Sequence, residues 1–113
     1  MTSVLDDLKL QRQLCVSKIH SCIKRVNSQM GSNRTRGVRD NRDSMRNLLT
    51  RFESLHVQVM AKEKTTLNDE EPRKQLEEIT ELVEDFVETI DAYLHNQDSL
   101  ALKETVIKKF EEL

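Results

Sequence analysis

Residues 76–94 read LEEITELVEDFVETIDAYL, and the spacing of their apolar side chains decides the fold. Leu76, Ile79, Val83, Phe86, Ile90 and Tyr93 recur at alternating intervals of three and four, which places all six on one stripe of an α-helix. Glu77, Glu78, Glu81, Glu84, Asp85, Glu88 and Asp91 cover the remaining surface. A helix with so acidic an exterior and so apolar a seam needs partner helices, and the sequence before it supplies two.

Working toward the N-terminus, Val38, Met45, Leu48, Phe52, Leu55 and Val59 form a second seam, interrupted only by Asn41. This predicts a helix over about 38–64. A third seam, Leu5, Leu8, Cys15, Ile19, Cys22 and Val26, keeps a heptad with Arg12 as its one misfit and predicts a helix over about 4–30. Ile23 and Met30 widen that stripe. Ser3 stands three residues before Asp6 as a helix start. Gly31, Ser32, Asn33 and Gly37 collect turn formers around Arg34, Thr35 and Arg36, predicting a loop. Asn68 or Asp69 caps the acidic helix, whose first turn holds Glu70, Glu71 and a tolerated Pro72; it runs over about 69–95.

Toward the C-terminus the pattern falters at Asn96, Gln97 and Asp98, and Asp98 or Ser99 could cap a short further helix over about 99–113. Leu102, Val106, Phe110 and Leu113 carry its apolar face to the last residue, which points to a chain that continues in a longer protein. The expected fold is therefore all-α: an antiparallel bundle or helical hairpin of three long helices plus a short C-terminal one, in a single domain over 1–113.

The composition agrees with this, because 34% of the 113 residues are charged, 4% are aromatic, and two glycines and one proline leave few turns. The net charge of −2 hides a division. Residues 1–64 hold thirteen Lys and Arg against six Asp and Glu, or +7; residues 65–113 hold five against fourteen, or −9. The two halves attract, which selects the pairing of the helices. Cys15 and Cys22 are seven residues apart on one helix, about 10 Å between Cα atoms, which exceeds the ~7 Å reach of a disulfide. Free cysteines, no N-terminal apolar signal and no long apolar run predict an intracellular, cytoplasmic setting and no membrane partner.

Chemistry is poorly advertised. Cys15, His20, Cys22, His56 and His95 are zinc-type ligands without a zinc-type spacing. The cysteines have no neighbour to activate them, and the carboxylates of residues 76–94 read as a solvated face. No enzyme activity, cofactor, metal or small-molecule ligand is expected. One cluster supports a sharper idea: Arg34, Arg36, Arg39, Arg42 and Arg46 could contact the phosphates of a nucleic acid. Against it stand Asp40 and Asp43 and the lack of interleaved aromatic residues, so pairing with the acidic helix is the simpler use. Asn41 could fix register within its seam.

The order of features along the chain resembles a known family. Leu8-Lys9-Leu10-Gln11-Arg12-Gln13-Leu14 precedes Ile19 and Ile23. Arg51-Phe52-Glu53 follows with His56 and Gln58, then Leu67-Asn68-Asp69-Glu70-Glu71, then Phe86, Ile90, Tyr93 and Leu94. Over residues 8–95 this resembles the N-terminal helical segment of Gag-like polyproteins of BEL/Pao-type LTR retrotransposons, or of a host protein derived from one. The resemblance implies a structural, self-associating domain of a capsid-type polyprotein, without catalytic residues. No C-x-x-C zinc knuckle is present.

The functional expectation is thus a non-enzymatic self-association module, most simply a homodimer. Its shared core would be Leu48, Phe52, Leu55, Val59, Leu76, Ile79, Val83, Phe86, Ile90 and Tyr93. The alternatives are a nucleic-acid-binding module using Arg34 to Arg46 and a helical adaptor that docks another protein.

Overall fold

The computed structural model describes the backbone of residues 3–111 and the side chains of residues 3–100. The fold is all-α, with three antiparallel helices in the order α1 (Val4–Gly31), α2 (Thr35–Glu63) and α3 (Glu70–Glu111). No strand occurs among the described residues. Helix α2 is central: α1 packs along one side of it and α3 along another, while α1 and α3 touch each other sparsely. The protein measures 73 × 30 × 16 Å. Its length is that of α3, whose 42 residues rise about 63 Å.

Helix α1 starts where Ser3 accepts the Asp6 N–H on its Oγ at 3.1 Å, with Asp6 and Asp7 favourably placed in the first turn. Replacing Ser3 by Ala is expected to lower the unfolding free energy by about 1 kcal/mol, and Ser3→Asp to keep it, as denaturant melts would register. The other end closes in a Schellman turn. Asn33 takes the left-handed conformation, φ 55°, so that the Arg34 N–H reaches the Gln29 carbonyl at 2.8 Å and the Asn33 N–H that of Met30 at 3.2 Å. Three residues suffice to reverse the chain.

The expected loop at 31–37 is accordingly shorter than the sequence suggested. Gly37 lies inside α2, and its missing side chain makes room for a neighbour: a Cβ there would sit 2.6 Å from Gln29 Nε2. With that space open, Gln29 Oε1 accepts from Asn41 Nδ2 at 2.9 Å. Asn41 also donates to the Gly37 carbonyl and accepts from Arg25 Nη1 at 3.3 Å. The polar residue of the second seam therefore ties α1 to α2 within one chain.

Helix α2 ends at Lys64, also left-handed at φ 58°, where the Thr65 N–H reaches the Met60 carbonyl at 3.0 Å. Asp69 then reaches back to the Thr66 N–H at 2.8 Å while its carbonyl accepts the first α3 bond from Arg73. The break expected around Asn96 to Ser99 is absent. The third and short fourth helices are one, because Asn, Gln, Asp and Ser each weaken a helix by only tenths of a kcal/mol and no Gly or Pro stands there. The expected apolar positions Leu102, Val106, Phe110 and Leu113 lie outside the residues whose side chains are described.

Two apolar clusters fill the seams. Ile19, Cys22, Val26, Val38, Met45, Val83, Val87 and Ile90 form the first, where all three helices meet. The second, nearer the α2–α3 turn, holds Leu8, Cys15, Phe52, Leu55 and Val59, with Leu48, Leu76 and Ile79 packed on it.

Candidate interaction surfaces

Among the candidate core residues, Phe52, Leu55, Val59, Val83 and Ile90 are buried. Leu48, Leu76, Ile79, Phe86 and Tyr93 are half-buried against the same clusters. For the four on α3 the cause is geometric: α1 and α3 do not close on each other, so side chains on the flank of α3 turned toward α1 are covered on one side only, whereas Leu48 of α2 borders a groove between α1 and α2. Where the helices part, a hollow of about 380 Å³ holds Arg12, Gln13 and Val16 of α1 and Gln75, Glu78 and Ile79 of α3, with Phe52 at its base. From Val16 the apolar row continues in steps of seven to Ile23 and Met30; from Ile79 it continues to Phe86 and Tyr93. Heptad steps stay on one helix face, so two half-covered rows run along the α1–α3 gap.

At the α2–α3 turn, a smaller hollow of about 200 Å³ is bordered by Lys9, Arg12, Glu63 and Glu71. His56 lies beneath it, 1% exposed. Its Nε2 is 2.8 Å from the Pro72 carbonyl and its Nδ1 3.0 Å from Arg12 Nη1. A carbonyl can only accept and a guanidinium only donate, so the ring is neutral, with its proton on Nε2. It stacks on Phe52 at 5.5 Å between centroids. Burial pushes its pKa below the ordinary histidine value, the Arg12 charge adds to that, and the Pro72 hydrogen bond and Glu63 oppose it. Arg12, the misfit of the first seam, is thus the partner of a buried histidine. The sequence offered two separate polar signals here without their connection across 44 residues.

The arginine cluster is dispersed. Arg39 donates to Asp98 at 2.7 Å and Arg42 to Asp91 at 2.5 and 3.3 Å. The Arg42 hydrogen bond holds the Asp91 carboxyl below the usual carboxylate range. Arg46 shares a hollow with Glu84, Glu88 and Asp91. Three of the five candidate arginines therefore face the acidic helix, leaving Arg34 and Arg36 exposed at the hairpin turn. Another basic group stands on the outer flank of α1 and α2, where Lys18, Arg25 and Arg51 line a groove without an acidic side chain. Lys18 and Arg25 follow a seven-residue step, a signal readable in the sequence; Arg51 joins them only through packing.

Both cysteines are buried and free. Cys15 donates to the Leu48 carbonyl at 3.3 Å and Cys22 to that of Asn41 at 3.8 Å. Burial raises both thiol pKa values, against the pull of Arg51 and Lys18 on the first and of Arg25 on the second. Among the described residues no three His, Cys, Asp or Glu side chains converge as metal ligands, and no helix is long and apolar enough to cross a membrane.

No known protein family, curated protein or solved structure matches the chain.

Proposed function

We propose that this chain is a non-enzymatic self-association module, of the kind the resemblance to Gag-like segments implies, and that two copies join through their α1–α3 faces. The observation that carries this is the pair of half-covered heptad rows, Val16, Ile23 and Met30 beside Ile79, Phe86 and Tyr93. The gap is self-complementary in charge: Lys9 and Arg12 stand on its α1 side and Glu71 and Glu78 on its α3 side. A two-fold axis parallel to the helices brings the α1 side of one copy against the α3 side of the other at the same end, so basic wall meets acidic wall. Such an isologous contact closes at two copies.

Each half-exposed aliphatic side chain that becomes buried contributes on the order of 1 kcal/mol or more. Two substituted by a charge weaken the dimer by well over about tenfold. Sedimentation across a concentration range should give a dimer for the native chain and a monomer for Val16→Glu with Ile23→Glu, far-UV helicity being retained. A native chain that stays monomeric at the highest concentrations would sink the proposal.

A further inference from the structure

The flank of α1 and α2 turned away from α3 carries a shallow groove of about 500 Å³. Lys18 and Arg25 of α1 and Arg51 of α2 stand around it. Ser21, Ser44 and Asn47 lie between them, and the buried Cys22 and half-buried Leu48 form its floor. None of the three cations has a carboxylate partner among the described residues, where the ion pairs are Lys9 with Glu63, Arg39 with Asp98 and Arg42 with Asp91. Arg25 donates only to the neutral Asn41 side chain. No acidic side chain lines the groove; Asp40 stands one turn before Ser44, toward its end.

A chain of net charge −2 can hold such a surface because its acids are segregated. Helix α3 carries most of them, and it packs on the other side of α2, where Arg39, Arg42 and Arg46 meet it. Lys18 and Arg25 are about 10 Å apart along the α1 axis, and Arg51 faces them from α2. A straight trough with cations on both walls, and without a cup of converging backbone N–H groups, suits a line of regularly spaced negative charges better than one small anion.

We propose that this α1–α2 trough is a binding track for the phosphodiester backbone of a nucleic acid, held at about three phosphates by Lys18, Arg25 and Arg51. Ser21, Ser44 and Asn47 supply hydrogen bonds to phosphate or sugar oxygens. No aromatic side chain lines the trough, so bases are not stacked and binding is independent of sequence. The track is separate from the α1–α3 face and uses none of the arginines between residues 34 and 46.

The test is fluorescence anisotropy of a labelled oligonucleotide, single-stranded RNA in one arm and duplex DNA in the other, with the full chain. Three phosphate contacts predict a loss of affinity between about 50 and about 200 mM salt of roughly twentyfold for the single strand and fortyfold for the duplex. Lys18→Glu with Arg51→Glu should weaken low-salt binding at least about tenfold, and the milder Lys18→Gln with Arg51→Gln should lower the salt slope by about two contacts' worth. Helicity should be unchanged in both. Arg34→Glu with Arg36→Glu should stay within about twofold of native. Absence of native binding at low salt, or native-like binding by both trough variants, overturns the track. So does displacement by inorganic phosphate at matched ionic strength, which marks a small-anion site. Sedimentation with phosphatidylserine vesicles but no oligonucleotide binding assigns the surface to a membrane and overturns it too. A chain that binds the oligonucleotide but stays monomeric leaves the track standing and removes only the dimer.

Discussion

Ile90→Ala is expected to lower the unfolding free energy by about 2–5 kcal/mol, the largest effect of any single truncation on α3. Ile90 is 0% exposed and belongs to the cluster where all three helices meet, together with Ile19, Val26, Val38, Met45 and Val83. Neighbours on three rods cannot all move inward to refill one site, so most of the lost volume persists as a cavity and the cost falls toward the upper part of that range. In a domain of this size the melting temperature should drop by roughly 10–25 °C. Leu10→Ala, at a side chain 54% exposed, should change stability by less than about 0.5 kcal/mol. Both belong at one fixed protein concentration, since the proposed self-association would add its own stabilisation. An Ile90→Ala protein melting with the native one would mean that α3 does not pack as described.

His56→Ala should cost about 2–4 kcal/mol, through lost packing on Phe52 and a buried Pro72 carbonyl left without its donor. The same residue sets a pH dependence. Its folded pKa lies below the ordinary 6.5, so the unfolded chain binds the extra proton first. The stability it confers is complete above about pH 6.5 and is lost as pH falls from there through the folded value. A second proton would go on Nδ1, where the Arg12 guanidinium already points its own, so the Arg12 contact is lost and two like charges meet while the Nε2–H bond to Pro72 remains. Denaturant melts between pH 7 and 5 should therefore show native stability falling, with that part of the slope missing in His56→Gln. Asp91 acts in a separate window: its depressed carboxyl loses its contribution only as pH drops below about 3.8.

The long-range frame was legible in the sequence because a seam is a periodic signal. Val38, Met45, Phe52 and Val59 are spaced by sevens, and all four are buried. The charge division was equally readable, and Arg39 and Arg42 meet α3 near its far end, as antiparallel packing requires. What escaped depended on contacts between distant residues. Gly37 has a turn former's identity and a helical position, and only Gln29, delivered by another helix, explains the glycine. The polar run Asn96 to Asp98 looks like a stop until Arg39 is seen bonded to Asp98. Arg12 and His56 each look misplaced alone. Half-coverage of Phe86 and Tyr93 follows from how far α1 and α3 stand apart, an angle that no periodicity encodes.

Because α2 lies between the other two helices, each helix packs chiefly on its neighbour in sequence, and the turns between them are a few residues long. Closing such short loops costs little entropy, and chains rich in local contacts commonly fold in microseconds to milliseconds. Emergence from a ribosome suits the same order. The α1–α2 hairpin can zip as soon as residue 63 is clear, and the acidic rod then docks onto a basic, already formed template.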